Sequence, residues 1–267
     1  MASFSVVSNI ASANAQANLT QTTLGLNRAL NRLSSGFRIN YAGDDAAGLA
    51  VANAYRNDVA IVNQGMRNAN DGLSGLQIKD GALANISTLL DRLATLATQA
   101  ASGETTTGSR ATLDTEFQDV LTEIDRESTV ANLLTTAGFS VFVSNNGANG
   151  KVTGTIGAAS VAGISLTGHV LTSQAAAQSA VAAVASAVTL LGGTVGTLGV
   201  LQNRLQFAIG LAQSQVVNTK AAESRIRDAN VAEETANLTR YSILNQSGIA
   251  ALTQANQSQS SVLSLLR

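Results

Sequence analysis

The side chains able to do chemistry are few and scattered. His169 is the only histidine and there is no cysteine, so a metal cluster of the usual ligands, a Cys–His pair or a multi-His site cannot be assembled. His169 lies in a Gly- and Thr-rich stretch and reads as a solvent-facing loop residue. The carboxylates Asp44 and Asp45 are adjacent, but no acid–base partner is evident, and helix capping accounts for both. Glu233 and Glu234 fall near the start of a terminal helix, where acids suit the helix dipole. Gly193, Gly196 and Gly199 superficially resemble a dinucleotide loop, yet they lack a preceding strand and lie inside a helical heptad. No catalytic, cofactor or metal residues are expected. The informative positions are those that pack.

Composition points the same way. Charged residues make up 12% of the chain and the formal net charge is −1, so the self-repulsion that keeps proteins apart is weak. There is no basic cluster to imply nucleic acid. Proline is absent, which permits long uninterrupted helices. The first charged residue is Arg28, so the basic region and apolar core of a secretory signal are not expected at the N-terminus.

The elements follow from periodicity. Leu19, Leu26, Leu30, Leu33 and Phe37 keep three-, four- and seven-residue spacing, an apolar helical seam. Ser34-Ser35-Gly36 stops that helix and Gly43-Asp44-Asp45 starts the next. One long helix is expected from about Asp44 to Ala101, with Tyr55, Val59, Val62, Met66, Ala69, Leu73 and Leu76 inward. The rhythm skips once near Gly72, Gly75 and Gly81, then resumes at Leu83, Ile86, Leu90, Leu93, Ala97 and Ala100. Leu113, Phe117, Val120 and Ile124 mark a shorter helix.

The middle changes character. Phe139 to Val143 and Lys151 to Ile156 read as two strands about the turn Asn145-Asn146-Gly147. They form a small β-hairpin and loop region, 136–172, on the outside of a helical body. Ser144, Thr153 and Ser160 are candidate O-glycan acceptors there. No Lys, Arg, Asp or Glu occurs between Val152 and Asn203, and 175–201 has the composition of a membrane span. Against that stands a heptad seam of Val181, Val184, Val188, Leu191, Val195, Leu198, Leu205, Ile209, Ala212 and Val216. The last helix carries Leu238, Tyr241, Leu244, Gly248, Ala251, Leu252, Ala255 and Val262 on one side, matching the N-terminal seam.

The fold class read from these elements is all-α: an elongated helical bundle or coiled-coil rod with paired terminal helices and a small β-hairpin insertion. Residues 1–42 with 229–267 form a terminal helical domain and 43–228 the rod-like domain. The bets for packing between chain ends and between copies are Leu19, Leu26, Leu30, Leu33, Leu238, Tyr241, Leu244, Leu252 and Val262. Each stripe is thin and Ala-rich, so the two ends gain stable shape by packing.

The run Leu33-Ser34-Ser35-Gly36-Phe37-Arg38-Ile39-Asn40, followed by Asp44-Asp45-Ala46-Ala47-Gly48, closely resembles the start of bacterial flagellins. At the other end Leu201-Gln202-Asn203-Arg204, Glu223 to Asp228, Gln254 to Gln257 and Val262 to Arg267 resemble the flagellin C-terminus. The resemblance implies a homopolymer, the helical flagellar filament, exported through the flagellar type III apparatus with an uncleaved N-terminal segment. It also implies an export chaperone at the C-terminus, a junction protein and a cap. A patch recognised by the Toll-like receptor for flagellin maps by resemblance onto Arg92, Leu96 and Glu116. A hook–filament junction protein and, in a different class, a membrane-inserting protein acting through 175–201 are the alternative readings.

Overall fold

The computed structural model describes residues 8–265. Helix α1 spans Ile10–Ser35. Its N-terminus is capped by the Asn9 side chain, which accepts the Ser12 N–H at 2.9 Å. It ends where Gly36 turns left-handed, φ 74°, and donates its N–H to the Arg32 carbonyl. Any Cβ is strained there, so this is where Gly is required.

Helix α2 spans Ala46–Ala101. The Asp45 carboxylate accepts the Gly48 N–H at 2.9 Å and so caps the helix. Asp44 accepts instead from the Asn40 and Tyr41 N–H groups, bracing the link before it. Helix α3 spans Thr107–Val130, capped by Thr106. Strands β1 (Ala137–Phe142) and β2 (Lys151–Ile156) pair antiparallel with Val141 opposite Val152. A 3-10 turn, Gly147–Gly150, joins them. Helix α4 spans Gln174–Arg227 and helix α5 Val231–Leu265. The helical body and the hairpin agree with the sequence reading.

The chain divides into two compact units, with boundaries between Asn57 and Asp58 and between Val217 and Asn218. The Asp58–Val217 unit holds the apolar core. Leu76, Leu83, Ile86, Leu90, Leu93 and Ala97 of α2 are fully enclosed, as are Phe117 and Ile124 of α3. The inward partner on α2 shifts from four residues beyond each seam position (Ala69, Leu73) to three beyond it (Leu83, Ile86). Lys79 falls at that shift. It is half-buried, its amine donates to the Asn132 carbonyl at 3.2 Å, and burial pulls its pKa down.

Two sequence expectations are corrected in this unit. On α4, the heptad spacing puts Val188 and Val195 on the seam, yet both are exposed, at 44% and 39%. The inward residues are their small neighbours Ala187 and Thr194. At Thr194 a methyl group on the facing Gly157 would stand 2.7 Å from the hydroxyl, so the backbone there comes close to α4. Ala187 and Thr194 fall on the same three- and four-residue row as the buried Val184, Leu191, Leu198 and Leu201.

The segment after β2 also packs inward. Ala159, Val161, Ile164, Leu166 and Leu171 are buried. Two α3 carboxylates hold the segment, Asp125 accepting the Val161 N–H at 2.8 Å and Asp114 the Leu171 N–H at 2.6 Å. Satisfying these amides lets irregular backbone join the core. Ser160, a candidate glycan acceptor, is buried and donates to the Leu134 carbonyl. His169 is half-buried, its carbonyl taking a hydrogen bond from Gln118.

The other unit is built on an antiparallel pairing of α1 and α5. The Asn9 amide donates to the Ala255 carbonyl at 3.1 Å, and the Asn245 amide to the Thr23 hydroxyl at 3.1 Å. A methyl on Gly25 of α1 would stand 2.6 Å from the Tyr241 ring of α5. Only Ala29, Ile39 and Ala52 are fully buried apolar residues among those described in this unit.

Candidate assembly surface

The site residues read from the sequence divide by accessibility along the α1–α5 pair. Leu19, Leu26, Leu33, Leu238, Tyr241 and Leu252 are half-buried. Leu19 lies against Gly248, 3.2 Å from where a methyl would stand, and Tyr241 covers Gly25. Leu30 and Leu244 are 46% exposed each. Val262 belongs to α5, but its side chain lies outside the described residues. With Leu24, Ile243 and Ile249 also about half exposed, the helix pair keeps an apolar surface after its own contact is made. An open groove of about 800 Å³ runs along it, lined by Leu19, Leu24, Gly25, Tyr241, Leu244 and Gly248 among others.

One end of this pair is locked by charge. Arg32 of α1 donates to the Glu234 carboxylate of α5 at 3.1 Å and lies 3.9 Å from Asp44. Glu234 is only 7% exposed, so the pair is held in a weakly solvated place where separating the charges is costly. Beside it, the Arg38 N–H donates to the Arg227 carbonyl at 2.6 Å and the Ala229 N–H to the Gly36 carbonyl at 2.9 Å. The Arg227 guanidinium lies 4.1 Å above the Phe37 ring. Sequence reasoning assigned Glu234 to the helix dipole alone. The available signal was Arg32, a charge one residue from the apolar seam.

Arg92, Leu96 and Glu116 lie in the Asp58–Val217 unit. The Arg92 side chain donates to the Glu116 carboxylate, 2.8 Å from Nε, and both are about half exposed. Leu96 is 1% exposed and belongs to the core. Among the described residues no group of three or more His, Cys, Asp or Glu could hold a metal ion.

Long capped helices, a charge-locked joint and unspent apolar surface define a structural chain that packs against further helices. Residues 6–138 match the bacterial flagellin N-terminal helical region and residues 181–266 the bacterial flagellin C-terminal helical region. The chain is 35% identical to a flagellin of Halalkalibacterium halodurans over 97% of its own length and 98% of that protein. It is 32% identical to the flagellar filament 33 kDa core protein of Treponema phagedenis, over 97% and 98% of the two chains. The crystal structure of Bacillus cereus flagellin aligns with 59% of this chain and 94% of that one, at 30% identity and a TM-score of 0.48. The chain belongs to the bacterial flagellin family.

Proposed function

We propose that this chain is the structural subunit of a bacterial flagellar filament outside the cell, a passive propeller built by self-assembly. One observation carries the reading: paired terminal helices whose leucines remain half-buried or exposed when the subunit is alone. Such a surface is stabilised by covering it, and further copies of the same pair supply the cover. Residues 1–42 and 229–267 are assigned to the filament core, with Leu19, Leu26, Leu30, Leu33, Leu238, Tyr241, Leu244, Leu252 and Val262 as its packing residues. Residues 43–228 are assigned to the rod-like helical domain, with 136–172 its small β-hairpin and loop insertion.

Export through the flagellar type III apparatus, a chaperone at the C-terminus, and junction and cap proteins complete the proposal. Relatives named as flagellin and filament core protein favour the filament over a hook–filament junction. The assay is elongation: concentrated subunit mixed with filament fragments and viewed by electron microscopy. Growth from fragment ends is expected, and a subunit that stays monomeric beside them ends the proposal.

Recognition by the Toll-like flagellin receptor is proposed through Arg92 and Glu116, whose exposed side chains offer a charged pair. Leu96, the third residue of the patch mapped by resemblance, is enclosed in the core and offers no contact surface in the free subunit. Receptor-expressing cells should respond to purified monomer; silence where a known agonist signals would reject this part alone.

A further inference from the structure

The hairpin tip carries the chain's Asn-Gly pairs, Asn146–Gly147 and Asn149–Gly150. Such a pair invites one reaction. The glycine backbone nitrogen, with no Cβ beside it, can attack the side-chain amide carbon of the asparagine. A C–N bond forms, the side-chain nitrogen leaves as ammonia with the proton given up by the glycine nitrogen, and a cyclic succinimide results. Water then opens the ring at either carbonyl, giving aspartate or isoaspartate. By sequence the pairs are equal, but the fold separates them.

Asn146–Gly147 is open. Both residues are exposed, and a methyl on Gly147 would meet nothing within 4 Å. Gly147 begins the 3-10 turn, so its N–H has no carbonyl within that turn to bond. The Asn146 side chain makes no capping hydrogen bond. Asn146 has φ −86° and ψ 39°, so a rotation about ψ must bring the nitrogen onto the amide carbon. What resists that rotation is the hydrogen bond from the Asn149 N–H to the Asn146 carbonyl, 3.1 Å. Asn149–Gly150 is closed. Gly150 is buried, and a methyl there would stand 2.2 Å from the Ser144 carbonyl oxygen. Its own carbonyl accepts from Val143 at 2.7 Å and from Ser144 at 3.1 Å, and β2 starts at the next residue. Turning that peptide means parting the hairpin.

We propose that Asn146 is a site of spontaneous covalent modification, deamidation with water as the co-reactant, and that the hairpin protects Asn149 from the same chemistry. The inference goes beyond the filament reading and does not depend on it. From Ser128 to Gly150 the chain has no Lys, Arg, Asp or Glu, so the new carboxylate is the first charge in that stretch. It stands one residue from Asn145, whose amide donates to the Asp58 carboxylate of α2 at 2.9 Å. A like charge arriving there loosens the tip, and isoaspartate also adds a carbon to the backbone of the turn that Gly150 closes.

Ageing the folded full-length chain at mildly alkaline pH, followed by trypsin and fragment mass analysis, tests this. No Lys or Arg lies between Arg126 and Lys151, so both pairs fall in one peptide and each is the standard for the other. Asn146 should convert about tenfold or more faster than Asn149, because the second pair reacts only through local opening. In denaturant the two should convert alike. Equal rates in the folded chain, a faster Asn149, or an Asn146 that converts only in denaturant overturns the inference. Gly147→Ala should slow Asn146, and unchanged conversion in that variant overturns it as well. Asn146→Asp supplies the product directly and should speed amide exchange at Val143 and Ser144 with α3 unchanged; exchange as slow as in the parent overturns the effect assigned to the tip.

Discussion

The two units of this chain solve the burial problem in opposite ways. In the Asp58–Val217 unit, one connected cluster runs from Val62 to Ala212 and encloses leucines, isoleucines and a phenylalanine completely. Among the described residues of the unit holding both chain ends, three apolar residues are fully buried, and two of those are alanines. Its apolar bulk instead lies half-covered on the α1–α5 pair, and a charged lock of Arg32, Glu234 and Asp44 sets the joint. Stability scales with apolar surface removed from water, and by that measure the first unit has a closed core of its own while the second leaves much of its apolar surface uncovered.

The largest test of this contrast removes the unfinished half. Deleting Asp228 to Arg267 should leave the remaining helices visible by circular dichroism and abolish seeded polymerisation; normal filaments from the truncation would erase the distinction. Next come matched cavities. Leu90→Ala, in the closed core, should destabilise the free subunit by about 2–5 kcal/mol in chemical denaturation. Leu26→Ala, on the open pair, should cost the free subunit under about 1 kcal/mol and act mainly by raising the critical concentration. Equal effects of the two on the monomer would contradict the comparison.

Glu234→Gln should cost roughly 1–3 kcal/mol by leaving Arg32 short of its carboxylate. The loss should register as faster amide exchange in α1 and α5, with α3 unchanged. Gly65→Ala probes the closed unit from the other direction. A methyl there would overlap the Val143 carbonyl, so hairpin and α2 must part, at about 1–3 kcal/mol.

Lys79 gives the smallest expected effect. Its pKa is lowered by burial, so the unfolded chain holds that proton more tightly than the folded one. Stability should then rise with pH between the folded and unfolded pKa values, a window ending near the ordinary lysine value of about 10.4. That increment should vanish in Lys79→Gln when denaturation curves are compared across the window.

Caps and periodicity were legible because they are local. Gly36, Asp45 and the three- and four-residue spacing of α2 act within a few turns of their own helix. The hairpin was legible for the same reason: β-branched and aromatic runs flanked an Asn-Asn-Gly turn.

Some features depend on residues far apart in sequence. Val188 and Ala187 are equally plausible inward positions on an isolated α4, and hydrophobicity favours the wrong one. Ala187 is the one that falls on the buried row of Val184, Leu191, Leu198 and Leu201, which the neighbouring elements enclose. The segment after β2 looked like outer loop until Asp114 and Asp125, dozens of residues earlier, supplied acceptors for its amides. The Arg32–Glu234 pairing likewise joins opposite ends of the chain. The sequence alone determined where helices and strands begin, end and repeat, because those choices are made by neighbouring dihedrals and side-chain spacing. Only the tertiary structure decided which face turns inward and which apolar residues stay outside, because clearance and solvation are properties of whatever arrives opposite.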